Sequence, residues 1–144
     1  KLELSNVSLE EQTFRGGSKT NAGKDRIVPI HHLVYPLVEK HYREAERLKS
    51  PRLFNIQTFV EGDFSFIYYE LYARQFKVVT NRLALDARHH THDCRKTFVT
   101  MAKRANVDEY AIKRIIGHQI ADLTERVYTD RSIEWLRSEI EKIH

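Results

Sequence analysis

From residue 31 onward, apolar residues recur at intervals of three and four along most of the chain, in five stretches separated by turn formers. Such spacing lines one face of a helix with apolar side chains and does not match the strict alternation of a half-buried strand. The first stretch, His31 to Leu48, places Leu33, Val34, Leu37, Val38 and Tyr42 on its inner face and ends at Ser50-Pro51. The second runs from about Asp63 to Leu83, with Phe64, Ile67, Tyr68, Leu71 and Phe76 inward. The third, His92 to about Ala105, takes Thr91 as its N-cap and Phe98, Met101, Ala102 and Ala105 as its buried stripe. The fourth opens on Asp108, with Val107 and Ile112 as a hydrophobic staple. Tyr110, Ile112, Ile115 and Ile116 fill it, and Gly117 stops it. A short helical turn is expected from Leu123 to Val127, just before Tyr128. The last stretch, Ser132 to Ile143, carries Ile133, Leu136, Ile140 and Ile143.

Upstream, the pattern changes. Thr13-Phe14-Arg15 and Arg26-Ile27-Val28-Pro29-Ile30 read as short strands. The glycine-rich segment Gly16 to Lys24 joins them, so they form a β-hairpin whose long tip carries Lys19 and Lys24. A further short strand is expected between Arg52 and Val60. The expectation is an α+β domain, mainly α, with one small antiparallel sheet near the N-terminus. At 144 residues and 41% hydrophobic content, the chain can bury one core.

The totals exclude some function classes. No apolar run approaches the roughly 18 residues a membrane helix needs, and no secretory signal opens the chain. One cysteine, Cys94, excludes an internal disulfide and fits a reducing compartment. Net charge is only +4, but it is unevenly spread. Residues 1–72 hold ten basic and ten acidic side chains, whereas residues 73–114 hold ten basic against four acidic. A basic block of this kind suits a polyanion, most often nucleic acid, or a solvated helical face.

Inside that block lies RHHTHDCRKT, Arg88 to Thr97, the segment densest in reactive side chains. Three chemistries could use such a segment. A zinc site needs three or four converging N or S ligands. His89 and His90 fall in a loop ahead of the helix that begins at His92, and a single cysteine builds no cysteine-rich site, so metal is not expected. Cys94 as a nucleophile would need a base beside it, but helix neighbours such as Asp93 point about 100° away. The packing and helix-start roles of Cys94 and Asp93 are the simpler expectation. The third chemistry uses His92 and Arg95, which stand at i and i+3 and share one face of the helix start. An arginine fork there, beside a helix N-terminus, suits phosphate oxygens.

Thr91-His92-Asp93-Cys94-Arg95-Lys96-Thr97-Phe98 resembles the H-x-x-R box of tyrosine site-specific recombinases, the phage integrase family. Ile115-Ile116-Gly117-His118 is similar to that family's L/I-G-H box. Leu123-Thr124-Glu125-Arg126-Val127-Tyr128 resembles the segment that carries its nucleophilic tyrosine. Ser18-Lys19-Thr20, followed by Arg26 to Ile30, resembles its hairpin with a catalytic lysine.

The resemblance implies site-specific recombination by an enzyme that cuts and rejoins double-stranded DNA through a 3′-phosphotyrosyl intermediate, without metal, ATP or other cofactor. It assigns Tyr128 as nucleophile, with Arg95 and His118 gripping the phosphate and His92 assisting proton transfer. Lys19 is assigned as the acid for the leaving oxygen, with Lys24 as its rival. Lys24, Arg88, His89, His90 and Lys96 complete the expected DNA-contacting set. The resemblance further implies a tetramer on DNA and a cytoplasmic location in a bacterial host. The final helix packs in cis or docks on a neighbouring copy. The different-class reading is a non-catalytic DNA-binding module or a decayed integrase.

One part of the family's pattern is missing. An arginine box precedes the hairpin in the family, yet no arginine precedes Arg15. That box and the separate DNA-clamping domain are therefore expected upstream of residue 1. On this expectation, residues 1–144 are one partial catalytic domain, monomeric and weakly active or inactive alone.

Overall fold

The computed structural model describes residues 2–17, 23–56, 65–120 and 132–144. Its elements run β1 (Val7–Ser8), β2 (Thr13–Gly16), β3 (Arg26–Pro29), α1 (Tyr35–Arg47), β4 (Asn55–Ile56), β5 (Ser65–Phe66), α2 (Tyr69–Arg82), α3 (Asp93–Arg104), α4 (Glu109–Ile116) and α5 (Ile133–Ile140). The fold is α+β and mainly α. Its expected hairpin is present and carries a third strand. β2 pairs with β3 in the antiparallel register Thr13↔Pro29 to Gly16↔Arg26, and β1 joins the other edge through Val7↔Phe14. Pro29 has no N–H to give the ladder, and it stands at the last pair, where the loss costs least.

Two apolar clusters flank this sheet. Val7, Ile30, Val38 and Leu53 fill one, with Phe14, Tyr35 and Tyr42 against them. Ala102, Val107, Ala111, Ile112, Ile116 and Leu136 fill the other, with Phe98 and Ile133 at its edge. Both α4 and α5 pack on β3, so the sheet is the partition between the two.

The fourth helix forms as its sequence dictates. The Asp108 carboxylate accepts the N–H groups of Tyr110 at 2.8 Å and Ala111 at 3.4 Å. Val107 and Ile112 are both buried, as the staple requires. Ser132 caps α5 by accepting the Trp135 N–H at 3.3 Å.

Other expectations are corrected. α1 begins at Tyr35, not His31. Pro36 lacks an N–H and its ring would clash with a carbonyl four residues back, so it is tolerated only in the first turn. The apolar residues ahead of it lose their inner face: Leu33 is 61% exposed and Val34 is exposed too, while Leu37, inside α1, also faces solvent. α2 begins at Tyr69, because Ser65–Phe66 pair with Asn55–Ile56 instead of entering the helix. Ile67 and Tyr68 are exposed, as is Met101 on α3. Thr91 is not the α3 cap. The cap position is His92, without a side-chain cap bond, and the Thr91 hydroxyl instead meets Tyr69 Oη at 3.5 Å. Cys94 is exposed beside Tyr72 rather than packed in the core. The expected inward Phe64 and the helical turn at 123–127 lie outside the described residues.

The C-terminal helix packs on its own chain. Arg137 donates to the backbone carbonyls of Glu11 at 2.5 Å and Gln12 at 3.4 Å, at the β1–β2 turn. The buried Glu139 carboxylate accepts the Asp108 N–H at 2.8 Å and pairs with Lys142 at 2.7 Å.

Candidate functional site

An α-helix leaves its last four carbonyls without helical partners. In α4 these belong to Lys113, Arg114, Ile115 and Ile116, and each is met by a different donor. Gly117 turns left-handed at φ 73°, which brings its own N–H to Arg114 O at 3.3 Å and the His118 N–H to Lys113 O at 2.9 Å. This is the paired-bond turn that glycine permits at a helix end. Arg26, at the start of β3, donates Nε–H to Ile115 O at 3.0 Å. Arg95, on α3, donates Nη1–H to Ile116 O at 2.5 Å. The end of α4 thus fastens the hairpin, the start of α3 and the His118 turn together.

The sequence-predicted residues fall into three groups. Arg95 and His118 are brought together through the carboxyl end of α4. Arg95 is half-buried; one N–H is spent on Ile116 O, and its other donors have no hydrogen bond among the described residues. The His118 side chain is exposed. His92 sits at the N-cap of α3, one turn from Arg95 and also exposed. The second group is the set expected to contact DNA. Lys24, Arg88, His89, His90 and Lys96 are all exposed. Four of them are tied to local carboxylates: Arg88 to Asp86 at 2.6 Å, and His89, His90 and Lys96 each to Asp93 at 3.2 Å. The third group, Lys19 and Tyr128, lies outside the described residues.

Electrostatics follow from these contacts. Bonds from Arg88 bring the Asp86 carboxyl down to about 2. The His90 backbone N–H most of all, helped by His89 and Lys96, holds Asp93 well below the carboxylate range against the opposing effect of burial. Burial first, and then the like charge of Arg95, lower the Arg26 guanidinium from its usual value. Two cationic forks therefore stand near each other at one helix end. Arg26 does not stand out in the sequence, because one arginine at a strand start carries no signal until the fold brings α4 against it.

A separate group, His31, His32 and Glu141, gathers three metal-type donors. His31 Nδ1 accepts the Leu33 N–H at 3.1 Å, which puts the ring proton on Nε2, where it is donated to Ile143 O at 2.9 Å. That ring has no lone pair left for a cation. His32 bonds Glu141 through its ring Nδ1 and its backbone N–H, so the group holds the tail of α5 instead.

The model of the phage integrase family matches residues 1–134. The chain belongs to the phage integrase family. The integrase from mycobacterium phage Brujita has a similar fold, with a TM-score of 0.71 at 18% identity over 99% of this chain. This chain spans 44% of the length of that integrase. No curated protein sequence matches it. Among the described residues, no helix is long and apolar enough to cross a membrane.

Proposed function

We propose that this chain is a catalytic domain of a tyrosine recombinase, one that breaks and rejoins DNA at a specific site on behalf of a phage or other integrative element. The observation that carries the reading is the shared anchoring of Arg95 and the His118 turn on the last carbonyls of α4. Fixed cationic and hydrogen-bonding donors held by backbone need no reorganisation when charge develops on a phosphate.

In the reaction proposed, Tyr128 Oη attacks the scissile phosphorus. A tyrosine–phosphorus bond to the 3′ side forms as the bond to the 5′ oxygen breaks. Lys19 gives that oxygen its proton, with Lys24 as the alternative donor, and leaves a free 5′ hydroxyl. The covalent link keeps the phosphodiester's energy, so attack by a 5′ hydroxyl reverses the step without ATP. Arg95 and His118 bind the non-bridging oxygens while negative charge gathers there. His92 assists in moving the tyrosine proton, because a phenol of reference pKa about 10 is a poor nucleophile while protonated. The exposed cations Lys24, Arg88, His89, His90 and Lys96 would hold the flanking backbone. Several copies would assemble on the two sites, as a tetramer, in the cytoplasm of a bacterial host.

The test uses a pool of duplexes randomised across a nicked crossover region, so that cleavage releases the short strand and traps the protein. In protein that also carries the arginine box expected ahead of residue 1, the expected result is an SDS-resistant adduct, unaffected by a chelator and absent in Tyr128→Phe; residues 1–144 alone should trap poorly or not at all. In the longer protein, adduct persisting in Tyr128→Phe, or DNA bound with no adduct at all, would favour the non-catalytic DNA-binding reading.

A further inference from the structure

The guanidinium of Arg26 sits in a slot that the chain builds from both sides. Its Nε–H goes to Ile115 O at 3.0 Å, on α4, and its Nη1–H to Gly23 O at 2.9 Å, at the foot of the hairpin loop. Gly17, at φ 116° just past β2, and Gly117, at φ 73° just past α4, face this group from opposite elements. A Cβ on Gly17 would collide with Gly23 O and with Arg26 Nη1. A Cβ on Gly117 would stand 3.0 Å from Arg26 Nη1 and 3.0 Å from Gly23 Cα. Two backbones thus approach one side chain more closely than any other residue type would allow. The bond to Ile115 spans 89 residues of sequence and joins the hairpin to the helix end that also anchors Arg95.

We propose that Arg26 is a positioning residue, a strut that fixes the base of the β2–β3 hairpin to the carboxyl end of α4, so that the hairpin base and the Arg95–His118 grip face one phosphate as a single body. This rests on the recombinase reading. Arg26 itself need touch no DNA. Its planar fork spans two carbonyls on different elements, which the single ammonium of a lysine does not reproduce. A displacement of about 1 Å between reacting groups costs about 100-fold in rate.

Arg26→Lys keeps the charge and breaks the bridge. Gly17→Ala keeps the arginine and crowds its slot. For each, the rate of Tyr128-dependent trapping and the affinity for the trapped duplex are measured on folded protein that carries the arginine box. Both variants should bind the duplex within about threefold of the parent and trap it at least about tenfold more slowly, a split a merely structural role would not give. Trapping within twofold of the parent, or a loss explained wholly by weaker binding, overturns the proposal. A second arm needs no chemistry. Amide exchange in segments 23–28 and 113–118 should quicken together in both variants while 101–107 stays unchanged; unchanged exchange at the two ends would sink the strut. If the parent forms no Tyr128-dependent adduct, the recombinase reading falls and this arm alone decides the role of Arg26.

Discussion

Gly117→Ala is the sharpest probe of the α4 terminus. The residue lies at φ 73° and ψ 36°, a left-handed conformation that costs an ordinary L-residue about 1–2 kcal/mol. The added methyl would also press on Arg26 Nη1 and Gly23 Cα at 3.0 Å each, and both are held by backbone geometry rather than free to swing. If the guanidinium is displaced, one hydrogen bond from a charged donor is lost, about 1.5–3 kcal/mol. The sum is a destabilisation of about 3–5 kcal/mol, against about 1–2 if the slot yields freely. Gly117→Asn separates the two parts, since asparagine tolerates the left-handed region but brings the same Cβ. It should recover most of the conformational cost and none of the contact cost. Urea unfolding followed by circular dichroism reads both. A Gly117→Ala change within about 0.5 kcal/mol of the parent, the level of an ordinary surface substitution, would show that α4 does not end as described.

Asp108→Ala removes the carboxylate that takes the Tyr110 and Ala111 N–H groups and should cost about 1 kcal/mol in the same urea assay. Glu139→Ala acts on the same helix start through the Asp108 N–H, so the double variant should depart from additivity by about 0.5 kcal/mol or more. Asp93 has a folded pKa below its unfolded value of about 3.9, so its contribution is present above about pH 4 and fades as pH falls through the folded value. The His90 amide resonance should therefore shift only in strong acid; the same shift in Asp93→Asn would assign it to another group. Arg95→Lys should leave the protein folded and lower the trapping rate by about 100- to 1,000-fold, as loss of a preorganised donor does; unchanged trapping would remove Arg95 from the grip.

The parts of the fold that were legible in the sequence are those decided locally. Asp108 and Gly117 mark the ends of α4 because a carboxylate cap and a left-handed turn are properties of single residues and their neighbours. The Thr13 and Arg26 strands declared themselves by the glycine-rich segment between them. Which face of a helix is covered was not legible where the cover comes from elsewhere. Leu33 and Val34 keep helical spacing, yet Pro36 sets the helix start and leaves them in solvent. The site divides in the same way. His92, Arg95 and His118 could be found from their own short motifs. The meeting of Arg26 with Arg95 could not, because it exists only once a strand and two helices converge on four carbonyls.

The polar fastenings of α5 also set a schedule for the growing chain. The Glu11 and Gln12 carbonyls, the Asp108 amide and the His31 ring find their partners in residues 137–143. Domains assemble as synthesis proceeds, at about 5–20 residues per second. Until the ribosome has delivered that stretch, the β1–β2 turn and the head of α4 are exposed to proteases and to mispairing. The hairpin and α4 can meet earlier, through Arg26 and the packing of α4 on β3. Quality control of the nascent protein would thus turn on α5, while the prospective phosphate grip is already forming.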